Sequence, residues 1–334
     1  MKQYRIGILG ATGAVGREMM KVLEERKFPI SELRLLAGAG SAGKRISFMG
    51  KEHTVIQASE DAFEGLDIVL GAAENDIAMR FAPAIVKAGA VFVDNSSAFR
   101  LYEDVPLVVS EINPEDVRKH RGIIANPNCT TIISLVALNA LNKESPIESI
   151  IASSYQAVSG AGAQGISELS EETAAIAAGE AVKPSVFPYQ IAYNVIPQIG
   201  SEAFVGYTSE EMKLQNEGRK ILHSPELKVS CTCVRVPVFR SHSVSLLIRT
   251  KEKISVARAR ELIAAAAGCR LTDDIANRVY PMPLDTSDQD LVYVGRIRDD
   301  LTDERGLNLW CCGDQLRKGA ATNAVQIAEI VAGL

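Results

Sequence analysis

The chain has 334 residues, of which 47% are apolar, 23% charged and 5% aromatic, an ordinary globular composition that excludes collagen, coiled coil and disorder as starting points. Its 36 Lys and Arg against 41 Asp and Glu leave a formal charge of −5 with no long block of either sign. The basic footprint of a nucleic-acid binder is missing, and a small-molecule partner is expected. The length predicts about two domains. The six cysteines (Cys129, Cys231, Cys233, Cys269, Cys311, Cys312) are too sparse for a disulfide scaffold and lack paired zinc spacing, so no metal site is expected. No apolar run approaches a membrane span, and the amino terminus enters a glycine turn before a signal-peptide core could form, so a reducing cytoplasm is the expected location.

Short apolar runs alternate with longer helical patterns through the first third: Tyr4 to Leu9, Val15 to Glu25, Leu33 to Ala37, Leu66 to Gly71, Ile77 to Ala88 and Ala90 to Asp94. This rhythm predicts an α/β domain built on a doubly wound parallel sheet. Ile123 to Ala125 reads as its last strand. Pro127 stops that strand, and Asn128 is placed to cap an apolar helix from Thr130 to Leu141. Beyond Pro146 the pattern becomes α+β, with strands at Ser149 to Ala157, Lys228 to Val236 and Ser243 to Arg249 and helices at Gly165 to Ala178, Glu210 to Leu222 and Val256 to Ala267. Leu316 to Val331 reads as a closing helix that returns to the first domain. The expected division is 1–128 plus 316–334, and 129–315.

Gly10-Ala11-Thr12-Gly13-Ala14-Val15-Gly16 joins a strand to a helix. Glycines there let backbone approach a pyrophosphate, which the helix N-terminus favours. The loop after the second strand has no carboxylate to hold a ribose 2′-hydroxyl; it offers Ser41, Lys44 and Arg45, which suit a 2′-phosphate. NADP is the expected cofactor, with NAD as the alternative. Cys129 stands at a helix start, where the dipole favours a thiolate. Of the four histidines, His53, His120 and His223 lie in polar stretches, whereas His242 sits between two strands and closely follows two arginines, Arg235 and Arg240, a setting for carboxylate recognition beside an acid–base group or for a solvated strand edge. A thiol, a histidine and a nicotinamide together point to acyl chemistry coupled to hydride transfer.

These segments, together with Asp94 to Arg100, Asn126-Pro127-Asn128-Cys129, Ser159-Gly160-Ala161-Gly162, Arg235 to His242 and Gly313 to Ala321, resemble the aspartate-semialdehyde dehydrogenase family over almost the whole chain. The resemblance implies a Rossmann-type domain, a second catalytic and dimerisation domain, and assembly as a homodimer or homotetramer. It implies NADPH-dependent reductive dephosphorylation of L-aspartyl-4-phosphate, on the route to lysine, threonine, methionine and diaminopimelate. By that likeness Cys129 is the nucleophile, His242 the acid–base group and Gln156 an orienting residue. Arg235 pairs with the substrate carboxylate and Glu210 with its amino group, while Arg100, Asn128 and Lys213 hold phosphate. Gly10, Ala11, Thr12, Gly13, Ala14, Val15, Ser41, Lys44, Ser159, Gly160, Gly162 and Gln315 face the cofactor. The chain departs from the family at Gly38 and Gly40, where Ser and Arg are common, and at Glu74 and Asp76, where two carboxylates are added. A sister reductase acting on N-acetylglutamyl phosphate, and a non-catalytic nucleotide binder, are the competing readings.

Overall fold

The computed structural model describes residues 2–333. The chain divides into two compact units, one running to Asn128 and resuming at Ala320, the other spanning Cys129–Gly319.

The first unit contains β1 (Tyr4–Leu9), α1 (Ala14–Glu25), β2 (Ile30–Ala37), the hairpin β3 (Arg45–Phe48) and β4 (Lys51–Thr54), β5 (Ile56–Gln57), β6 (Ile68–Gly71), α2 (Asn75–Lys87), β7 (Val91–Asp94) and β8 (Ile123–Ala125). Six strands form one sheet in the order β5-β2-β1-β6-β7-β8, and every pairing is parallel. The apolar runs are explained by burial on both faces: Ile6, Ile8, Leu35, Leu70, Val93 and Ile124 lie in one core, and the alternating Leu9, Leu36, Val69 and Phe92 are buried as well. The chain leaves β1 toward β2 on one side and toward β6 on the other, and the crevice at such a reversal is where open α/β sheets bind ligands. Gly10 stands at that point, immediately after β1.

The C-terminal helix Thr322–Ala332 packs against α1 and buries Ala324, Val325, Ile327 and Ala328 in this core. It is shorter than its amphipathic pattern predicts, because Arg317–Ala321 is π-helical. The Gly319 N–H bonds the Asp314 carbonyl at 3.0 Å, while the Asp314 carboxylate accepts from the N–H groups of Leu316 and Arg317. The local fold of Leu316 to Gly319 is thus set by Asp314, and these residues belong to the second unit.

That unit comprises α3 (Cys129–Glu144), β9 (Ile147–Gln156), α4 (Gly162–Ala177), β10 (Glu202–Phe204), β11 (Tyr207–Thr208), α5 (Ser209–Ile221), β12 (Lys228–Arg235), β13 (His242–Thr250), α6 (Val256–Ala265), β14 (Cys269–Leu271), α7 (Pro283–Thr286), β15 (Val292–Asp299) and β16 (Gly306–Gly313). A mixed sheet runs β12-β9-β13-β16-β15-β14. Helix α3 packs on it with α5 and α6 alongside, and Ile132, Ile133, Leu135, Val136, Leu138 and Leu141 are all buried, which accounts for an apolar run without a polar face.

Gly10 has φ of +88°, and a Cβ there would lie 2.3 Å from the Ala72 carbonyl oxygen. Gly10→Ala is therefore expected to cost about 2 kcal/mol or more, read as a lower urea midpoint at unchanged slope.

Candidate active site

In the first unit, Gly13 is the N-cap of α1 and no side chain caps the helix, whose first turn carries no acid. A Cβ on Gly16 would meet the Gly10 carbonyl oxygen at 2.4 Å, so the turn closes only with glycine at both positions. The open N-terminus, from Ala14 and Val15 onward, is a ready anion site. Ser41 joins this turn to the loop after β2: its hydroxyl lies 3.4 Å from Thr12 Oγ1 and accepts from Lys44 Nζ at 3.3 Å. Nothing lies within 4 Å of a Cβ built on Gly38 or Gly40. Glu74 and Asp76 are exposed, one at the N-cap position of α2 and the other in its first turn, where their charge complements the helix dipole. At the end of β7 the buried Asp94 accepts from the Ser96 N–H and hydroxyl, shaping the turn that leads to Arg100. Burial raises the Asp94 pKa against those bonds. Arg100 is buried and donates to the carbonyls of Asn126 at 3.0 Å and Asn95 at 2.7 Å. Asn128 is also buried and precedes Cys129 in the chain.

In the second unit, half-buried Cys129 opens α3, and a Cβ on Gly319 would come within 2.8 Å of its Cβ. The π-helical turn thus brings backbone close to the thiol-bearing residue. Arg235 ends β12 and His242 begins β13, and the backbone of Ala157, after β9, joins them: its carbonyl accepts from Arg235 Nη1 at 2.7 Å, and its N–H donates to His242 Nδ1 at 3.1 Å. A Cβ on Gly160 would meet Arg235 Nη1 at 2.6 Å and His242 Nε2 at 3.5 Å, so this glycine leaves open the space that both groups face. His242 is wholly buried, which rules out a solvated strand edge, and its Nε2 has no hydrogen-bond partner among the described residues. Since Nδ1 accepts, the proton of the neutral ring is assigned to Nε2. Arg240 is committed elsewhere, to Asp314 at 2.6 Å and Asp288 at 3.0 Å.

A capping box sets the other wall. Thr208 and Glu211 cap α5 reciprocally, and Glu211 also accepts from the Cys233 N–H at 3.0 Å, which ties the helix start to β12. Glu210 then accepts from Gln156 Nε2 at 3.2 Å and from Lys213 Nζ at 2.8 Å. Three of the residues expected to face a cofactor also bond within the protein: Ser159 Oγ meets Gln315 Nε2, the Gly160 N–H donates to the Ala157 carbonyl, and Gln315 Oε1 accepts from the Ser241 N–H. Gly162 begins α4 with φ of +76°. Sequence reasoning missed Ala157, Ser241 and Gly319; Thr208 with Glu211 carried a readable capping signature.

Comparison with known proteins follows this division. The model described as "Semialdehyde dehydrogenase, NAD binding domain" matches residues 5–120, and "Semialdehyde dehydrogenase, dimerisation domain" matches residues 138–318. The aspartate-semialdehyde dehydrogenase of Aquifex aeolicus is 50% identical over 98% of each chain, and that of Bacillus subtilis is 46% identical over 97% of this chain and 96% of its own. The chain belongs to the aspartate-semialdehyde dehydrogenase family. The crystal structure of aspartate semialdehyde dehydrogenase II complexed with ASA from Vibrio cholerae superposes with TM-score 0.97 at 42% identity, covering 100% of this chain and 99% of the other. As a member of this family the chain is an oxidoreductase with a dinucleotide-binding domain. Among the described residues no helix is long and apolar enough to cross a membrane.

Burial, reinforced by the Arg235 charge and opposed by Glu210, lowers the His242 pKa to about 3 from an ordinary 6.5. Between those values the unfolded chain binds a proton at His242 that the folded chain does not. This contribution is intact above pH 6.5 and is lost as pH falls toward 3, by up to about 1.4 kcal/mol per pH unit. Urea unfolding across that window should therefore show a shallower acid limb for His242→Gln than for wild type.

Proposed function

We propose that the chain interconverts L-aspartyl-4-phosphate and L-aspartate 4-semialdehyde through a covalent intermediate on Cys129, with NADP as redox partner. The observation that carries this reading is the meeting of Arg235 and His242 Nε2 over Gly160, in the same unit as the Cys129 helix start. In the phosphorylating direction the Cys129 thiolate attacks the aldehyde carbon, and the chain then holds the acyl group as a thioester until phosphate displaces the thiolate. His242 faces the reacting group with Nε2. The helix N-terminus places backbone N–H groups where an oxyanion forms. Arg235 offers a buried cation to the substrate carboxylate, and Glu210, held by Gln156 and Lys213, offers a carboxylate to its ammonium. An N-acetylated substrate has no ammonium to meet Glu210, which favours the free amino acid over N-acetylglutamyl phosphate. Lys213, Arg100 and Asn128 supply phosphate contacts in this reading.

A nicotinamide dinucleotide, when bound, accepts or supplies the hydride. The residues present fit it: the Gly10 and Gly16 approaches leave no room for side chains, and the uncapped α1 start suits a pyrophosphate. Thr12, Ser41 and Lys44 form a polar chain with open space at Gly38 and Gly40, which suits a 2′-phosphate. The reaction needs Cys129 as a thiol, consistent with a reducing cytoplasm and a place in the biosynthesis of lysine, threonine, methionine and diaminopimelate.

A second copy of the chain covers the exposed sheet face of the second unit in this reading. Ile151 is 56% exposed there, and Tyr155 packs on Trp310 with ring centroids 5.4 Å apart. The matched domain is described as a dimerisation domain. Ile151→Asp should shift sedimentation from dimer to monomer.

In a steady-state assay with phosphate and aspartate semialdehyde, Cys129→Ala should lose about 1,000-fold or more in kcat while still binding NADP. Retained turnover would refute the assignment. Lys44→Ala should reduce the NADP-over-NAD preference about tenfold, the effect of one charge-assisted contact.

A further inference from the structure

Ser241, the residue before β13, carries φ of +75° although it is not glycine. That left-handed backbone costs a residue with a side chain about 1 kcal/mol or more, so it persists only where surroundings enforce it. Two buried side chains do so. The Ser241 N–H donates to Gln315 Oε1 at 2.8 Å, and the Ser241 hydroxyl meets Thr286 Oγ1. Thr286 donates its own hydrogen to the Met282 carbonyl at 3.1 Å, so the hydrogen between the two hydroxyls comes from Ser241. Gln315 is in turn fixed through its amide nitrogen on Ser159. All four side chains are buried.

The next residue is His242. With Nδ1 occupied by the Ala157 N–H, the only nitrogen that can face a reactant is Nε2, and in the neutral ring Nε2 already carries the proton. Taking up a second proton would require placing it on Nδ1, against another N–H. The charged groups that face the ring are Arg235 on β12, which opposes that gain, and Glu210 on α5, which is shared with Gln156 and Lys213.

We propose that Ser241, gripped by Thr286 and Gln315, is a positioning residue that fixes the His242 ring with Nδ1 on the Ala157 N–H and Nε2–H directed at the oxygen of the reacting carbonyl. The inference rests on the dehydrogenase reading above. In the forward addition the Cys129 thiolate is stabilised by the α3 N-terminus and by the charge of Arg235, which lies close enough to interact with Cys129. The Sγ–C bond forms, the carbonyl π pair moves onto oxygen, and that oxygen accepts a hydrogen bond from Nε2–H. His242 ends the step with the proton it began with.

The test combines ¹⁵N-histidine NMR with kinetics. Wild type should show one buried histidine, assigned by its loss in His242→Gln, with protonated Nε2 and bare Nδ1 throughout pH 5 to 8. Thr286→Val should lower kcat about tenfold, with KM for aspartate semialdehyde within about twofold, and should mix the tautomer signals. Thr286→Ser, which keeps the hydroxyl, should restore both. Ser241→Gly, which tolerates the backbone but loses the hydroxyl, should resemble Thr286→Val if the latter does not fold. A protonated Nδ1 or an imidazolium at pH 7 in wild type would overturn the proposal, as would full kcat in folded Thr286→Val. If the protein lacked activity on this aldehyde, the dehydrogenase reading would fail while the tautomer measurement still decided the placement of the proton.

Discussion

The backbone of one residue, Ala157 immediately after β9, ties together the ionisable groups of the second unit's candidate site. Its carbonyl anchors the Arg235 guanidinium and its N–H occupies His242 Nδ1. A buried cation and a buried imidazole each need a polar partner, and the carbonyl and N–H on either side of one Cα satisfy both. Its position follows from sheet register, since β9 is paired in parallel with β12, which ends at Arg235, and antiparallel with β13, which begins at His242. The site is a junction of three strand ends on rigid elements, which holds reacting groups in place at low reorganisation cost.

Helix starts supply the remaining parts. Helix α1 begins without a side-chain cap after a turn that only glycine can close, which leaves its N-terminus for an anion. Helix α3 begins with Cys129 itself. Helix α5, by contrast, is capped reciprocally by Thr208 and Glu211, and the same Glu211 grips β12, which fixes Glu210 and Lys213 relative to Gln156. The uncapped start of α1 leaves backbone N–H groups available to an anion, whereas the closed start of α5 holds a shape.

Much of the first unit was legible because its signals are local. Strands buried on both faces read as apolar runs, and Gly10, Gly13 and Gly16 mark a strand-to-helix turn whatever surrounds them. Cys129 was legible for the same reason, following a proline-stopped strand. The second unit was harder. The strands β14 to β16 were not read: Arg296 and Arg298 interrupt the apolar pattern of β15, and the pairing between β15 and β16 shifts register between Gly295 and Arg298. Partners distant in sequence were beyond local reasoning. Ser159 meets Gln315, and Ser241 meets Thr286, across long stretches of chain. The bonds by which Ser159, Gly160 and Gln315 build the His242 surroundings therefore left no trace in the local sequence. The π-helical turn at Arg317–Ala321 hid inside an unbroken amphipathic pattern, because its cause is the Asp314 side chain upstream.

The central claim is that Cys129 carries the acyl group. Mixing the protein with aspartate semialdehyde and NADP in the absence of phosphate, quenching in acid and mapping peptides by mass spectrometry tests it directly. The account predicts an aspartyl thioester on the peptide containing Cys129, formed together with a burst of NADPH of about one equivalent per site and discharged on adding phosphate. A burst with no adduct at Cys129, or an adduct on another residue, would contradict it.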